Sequence, residues 1–209
     1  MTVSWIQHRF AGGVLALDTA NTVVLRGDPD RGFDRFEDRS EIARFADAAS
    51  VFRATELGGR RLQAGEPARI APVVLEIRET TDRLFREVAR DGIYEGSHLS
   101  DFLKACSKGV AAVQGKIGEP SRPFGDPETS IAFEAALAVS ALSLLGGETT
   151  RRLRICANCR WLFVDRSRNC SRLWCDMAVC GNRQKARRHY RRHRQNGEEN
   201  HAHDSDRHS

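Results

Sequence analysis

Six cysteines occur in the 209 residues, and four of them, Cys156, Cys159, Cys175 and Cys180, fall within twenty-five positions of one another. Two residues separate the first pair, the gap at which a tight knuckle turns both sulfurs toward one ion. Four residues separate the second pair. Four thiolates suit zinc, which accepts tetrahedral sulfur ligands and imposes no geometric demand of its own. Such a shell is closed and leaves no position for a reactive water, so the expected zinc is structural. A redox pair would need only one Cys-x-x-Cys at the strand-to-helix junction of a βαβ unit, and no such unit is evident. Cys170 falls in the turn between the two pairs and Cys106 on the apolar face of a body helix. Both are expected to be free thiols.

The four cysteines introduce a second chemistry. From Arg151 to Arg194 the chain carries 14 Lys/Arg against two acids, Asp165 and Asp176, while the remainder has 19 basic and 26 acidic residues. A one-signed segment of this density needs a polyanion or an acidic surface as partner. After Gly181 the run Asn182 to Gln195 reads as a helix that brings Arg183, Arg187, Arg191 and Arg194 to one face, with Lys185, Arg188 and Arg192 around it. Arginine supplies bidentate contacts to phosphate or guanine. A helix whose start is fixed by zinc is sized for a DNA major groove, so DNA is favoured over RNA. Asn182, Arg183 and Lys185 are the first candidates to reach bases, with Arg183 also placed to anchor the zinc loop. The alternatives are an RNA-binding protein or a zinc-stabilised protein–protein interaction module.

Elements must exist to position these groups. Val3 to Phe10 reads as a short strand or extended arm. Val14 to Leu25 fits either a helix or a buried strand. Asp38 followed by Glu41 resembles a capping box for a helix to about Ala49. A long helical pattern runs from Pro67 to about Arg90, with Pro72 placed to delay its start, and Asp91-Gly92 closes it. Another helix is expected from Ser97 or Ser100. Asp126-Pro127 supplies a helix start for an Ala/Leu-rich central helix to Leu145. Trp161 to Val164 is expected to be a strand, with Leu173-Trp174 returning beside it. Gly197 to Ser209, His201 and His203 included, has the composition of a disordered tail.

Function classes are bounded by absences as well. No Gly-rich phosphate loop, nucleophile elbow or His-Glu-x-x-His zinc motif occurs, so no enzyme is expected. His8 and His98 read as isolated surface residues. No apolar run approaches the roughly 18 residues of a membrane span. The start lacks the pattern of a secretory signal, so a cytoplasmic location is expected. Asp18, Asn21, Thr22 and Arg26 share a helical face at i, i+3 and i+4 spacing. They are compatible with a small-molecule pocket or with capping and the satisfaction of buried backbone groups.

Cys156-x-x-Cys159, Trp161-Leu162-Phe163-Val164-Asp165-Arg166-Ser167, Arg172-x-Trp174-Cys175-x-Met177 and Cys180-Gly181-Asn182-Arg183-x-Lys185 together resemble the CGNR zinc-finger family. Leu17-Asp18-Thr19-Ala20-Asn21-Thr22 is similar to the motif of the ABATE domain that this family carries N-terminally. The resemblance implies a transcription regulator whose finger binds DNA and whose larger domain senses a ligand. The expected architecture is α+β. A mainly helical N-terminal domain (1–150), acting as ligand sensor or scaffold, precedes a small treble-clef-like zinc finger (151–195) and a disordered tail (196–209).

Overall fold

A computed structural model describes residues 2–111, 113, 116–187 and 190. The expected tail, and Arg188, Arg191 and Arg194 of the basic run, lie outside the described residues. A short 3-10 turn, Gln7–Phe10, leads into α1 (Leu15–Ala20), then into a two-residue hairpin of β1 (Val23–Val24) and β2 (Phe33–Asp34). Next come α2 (Ser40–Phe52), β3 (Leu62–Gln63), α3 (Pro67–Asp91) and α4 (Gly96–Ala111). Then follow β4 (Ile131–Ala132), α5 (Phe133–Ser143), α6 (Gly147–Arg151), β5 (Leu153–Ile155), β6 (Leu162–Val164) and a π-helical turn, Met177–Gly181. The architecture is mainly helical, with short strand pairs. No helix among the described residues is long and apolar enough to cross a membrane.

Helix α3 forms the spine. Glu66 caps it by accepting from the Ala68 and Arg69 amides, Pro67 takes the first helical position, and Gly92 closes it in the left-handed region at φ 73°. These are the end signals that satisfy a helix's orphan donors and acceptors. Pro72 does not delay the start. It sits inside the helix and removes one backbone bond, while Ile70, Ala71, Val74 and Ile77 around it are buried. Helix α5 packs against α1, α3 and α4. It is apolar on every side, as a helix surrounded by protein must be, and nearly every side chain from Phe133 to Ala141 is buried.

Further expectations are resolved or corrected. The Val3 to Phe10 segment forms no strand; its end is the 3-10 turn. The ambiguous segment after Val14 resolves as helix α1, with only Val23–Val24 extended. Asp38 does bind the first amide of α2, at Ser40. Glu41, however, does not reach back to close a capping box. It turns inward and accepts from the Val3 amide at 2.9 Å and the Trp5 indole at 2.8 Å, fastening the N-terminal arm instead. The central helix begins at Phe133 and not at Pro127. Ile131–Ala132 is taken up by parallel pairing with β3, and Arg60 holds the Thr129 and Ser130 carbonyls in a loop.

Strand β6 connects the cysteine segment to the body. Its partner is β5, antiparallel with Leu153 opposite Val164 and Ile155 opposite Leu162. Leu173-Trp174 forms no strand; Leu173 only accepts one backbone bond from Ala157. Leu153, Leu162 and Val164 are buried in the same apolar cluster as the helices. A smaller cluster of Cys156, Trp161, Phe163, Cys175 and Cys180 lies beyond them.

Candidate zinc centre and the basic face beside it

The knuckle is built by short-range backbone bonds. The Cys156 amide donates to the Trp161 carbonyl at 2.8 Å, and the Arg160 amide donates to Cys156 at 3.0 Å. Closing so tight a loop places Arg160 at φ 66°, a region that costs a side-chain-bearing residue on the order of 1 kcal/mol. The second cysteine pair is set by Asp176. Its carboxylate accepts from the Ala178 and Val179 amides, and its carbonyl accepts from Cys180 and Gly181, which winds Met177–Gly181 into the π turn. Asp165, fully buried, accepts from Ser167 and Arg172 and shapes the intervening loop.

These two supports bring all four sulfurs within 4.8 Å of one another. Cys159 and Cys175 are 3.6 Å apart, and Cys175 and Cys180 are 3.7 Å apart. A tetrahedron with zinc–sulfur bonds of about 2.3 Å has edges of about 3.8 Å. The fit is close, and three of the four cysteines are buried. Hydrogen bonds within the cluster hold the Cys156 thiol well below its ordinary range and push Cys175 well above it. A divalent cation replaces those shared protons with thiolate bonds. Cys156, Cys159, Cys175 and Cys180 are therefore positioned to hold one structural zinc. Cys170 stays outside the cluster, where its sulfur accepts from Arg152 at 3.1 Å, and Cys106 is buried in the body.

The basic run leaves this centre as a helix over residues 182–187. Asn182, Arg183, Lys185 and Arg187 are all exposed. The Asn182 amide folds back onto the Ala178 carbonyl at 2.9 Å. Gln184, and not Arg183, ties the helix to the knuckle, donating to Asn158 at 3.2 Å. Among the described residues no carboxylate lies within 4 Å of Arg183, Lys185 or Arg187.

The N-terminal polar motif does not gather around one opening. Asp18 is buried and accepts from the Gly12 amide and from Arg53. The Asn21 side chain donates to the Leu162 carbonyl at 2.9 Å and accepts from the Leu162 amide at 3.0 Å. Thr22 bonds to the Thr19 carbonyl and receives Arg78, while Arg26 pairs with Glu79 and Asp82 on α3. Beside Asn21, the Gly12 carbonyl accepts from the Val164 amide and the Gly13 carbonyl from Arg166. Gly12 tolerates no side chain, because a Cβ would stand 2.8 Å from the Asp18 carboxylate. The motif thus lies where the free edge of β6 meets the body.

His8 is not legible in the sequence as part of the site. Its ring stacks on Trp161 and its Nδ1 lies 2.9 Å from Asp176, so it braces the turn that carries Cys180. His98 pairs with Glu87 across α3 and α4. Arg35 also approaches the centre, over the Trp161 ring, from a stretch of chain that no local spacing connects to the cysteines. A search of curated proteins finds no match to the chain. Comparison with family models does find one, and it falls where the sulfurs converge: residues 152–193 match the CGNR zinc finger.

Proposed function

We propose that this chain is a DNA-binding transcription regulator. In this reading the zinc does no chemistry. It fixes the π turn and so aims the helix from Asn182 onward, while the 1–150 segment serves as scaffold or sensor. One observation carries the reading. Arg183, Lys185 and Arg187 stand exposed on the helix leaving the zinc centre, and no acid of the described chain lies within 4 Å of them. A solubilising surface is usually mixed in sign, and a one-signed helix gains most when phosphates take up its charge. Recovery of bound nucleic acid from cells, sorted into DNA and RNA, tests the partner. A salt titration tests the basic run, since Lys185→Ala with Arg188→Ala should lower the slope of log K against log salt by about 2, one unit for each phosphate no longer neutralised. An unchanged slope with zinc content intact, or recovery of RNA alone, overturns the reading.

A further inference from the structure

Between the zinc centre and the body lies a cleft of about 640 Å³ whose walls come from the N-terminal arm, the β1–β2 hairpin, the knuckle and the basic helix. Its size is that of a small-molecule site. Its charge is the unusual feature. Five arginines line it, Arg9, Arg31, Arg35, Arg183 and Arg187, and the lining includes no carboxylate. Arg31 is paired with Asp28 at 2.6 Å, and His8 with Asp176. The other four have no acid within 4 Å among the described residues. A zinc ion held by four thiolates carries a formal charge of about −2, and Cys159 in the wall contributes to it. That charge offsets two of the four arginines and leaves about +2, which is the complement of a phosphate monoester at neutral pH.

Arg35 shows most clearly that this charge awaits a partner. It is only 8% exposed, and among the described residues its guanidinium makes one hydrogen bond, to the Asn21 carbonyl at 3.3 Å. Its guanidinium lies between two rings, 5.5 Å from the centre of Phe33 and 5.4 Å from that of Trp161. A buried charge is ordinarily paired. Trp161 adds a buried indole N–H with no acceptor among the described residues, and Phe33 is a 53% exposed ring at the rim.

We propose that this cleft binds a small phosphate monoester carried on an aromatic ring, the phosphate taken by Arg9 and Arg35 and the ring by the exposed Phe33. Asp18, Asn21, Thr22 and Arg26 do not line the cleft; it shares Arg183 and Arg187 with the basic face, but its ligand is small and free, so it does not rest on the nucleic-acid reading. Calorimetric titration of the zinc-loaded full chain at low salt tests it, with phenyl phosphate, inorganic phosphate and phenol as probes. Phenyl phosphate should bind at one site per chain about tenfold more tightly than inorganic phosphate, the size of one aromatic pair, and phenol should not bind. Phe33→Ala should abolish that tenfold preference and leave phosphate binding in place. Arg35→Gln should weaken both phosphates by at least about tenfold, as removal of a charge-assisted hydrogen bond does. Arg9→Gln, less buried and less disruptive of the fold, should act in the same direction. The proposal is overturned if phenyl phosphate gives no heat at millimolar concentration, or binds folded Arg9→Gln as tightly as the parent chain. It is also overturned if a short oligonucleotide binds the cleft and the small phosphates do not.

Discussion

Replacing Asn21 with alanine tests whether the N-terminal motif fastens the zinc segment to the body. The side chain makes both of its bonds to one residue, Leu162, 141 positions away, and both are buried. Alanine removes the partners of a backbone N–H and a backbone C=O at once. Each orphaned group costs about 1–3 kcal/mol, so a loss of about 3 kcal/mol is expected. For a chain of this length that corresponds to a drop of roughly 6–12 °C in melting temperature. Asn21→Asp sharpens the test, because it keeps an acceptor for the Leu162 amide but sets a carboxylate against the Leu162 carbonyl. It should be at least as damaging as alanine. Urea unfolding of the zinc-loaded chain, followed by circular dichroism, measures the loss. A change below about 1 kcal/mol for Asn21→Ala, the net value of one ordinary hydrogen bond, would refute the fastening role.

Metal analysis should find one zinc per chain, and Cys180→Ser should lower both zinc retention and melting temperature; less than about half an equivalent in the parent protein would exclude the tetrathiolate site. Burial pushes Glu56 up to about 7, against its bonds to Ser140 and the Leu15 amide, and pushes Asp18 up to about 6 despite Arg53. Both groups hold protons more tightly folded than unfolded, so their contribution to stability is full below about pH 4 and falls as pH rises through 6 to 7. Glu56→Gln keeps the hydrogen-bonding shape without the charge, and should flatten the loss of urea resistance between pH 5 and pH 8 by up to about 3 kcal/mol. An identical slope in parent and variant would show that Glu56 is not responsible.

What is legible in the sequence is local. The knuckle pair, the second pair and the exclusion of Cys170 depend on spacings of a few residues, and the sulfurs converge accordingly. Helices α3 and α4 are legible because their apolar periodicity is long and their ends carry Pro67, Gly92 and polar starts. Expectation and structure part where a distant segment competes for the same backbone. Asp126-Pro127 is a sound helix start by itself, but β3 claims Ile131–Ala132 first. Glu41 has the spacing of a capping box, yet Val3 and Trp5 offer it buried donors. Leu173-Trp174 loses its expected place because β5 pairs with β6. The cleft is invisible in the sequence for the same reason, since Arg9, Arg35, Trp161 and Arg187 meet only in the folded chain.

The joint at β6 also has a consequence in time. A ribosome emits roughly 5–20 residues each second, so the 141 positions between Asn21 and Leu162 represent about 7–28 s of synthesis. Through that interval Asn21 and the Gly12 carbonyl have no strand edge to bind, and Leu153, Leu162 and Val164 are missing from the body's apolar cluster. The nascent helices therefore wait, incompletely sealed, for the segment that also brings the cysteines. Completion of the body and assembly of the metal site therefore fall in the same stretch of translation.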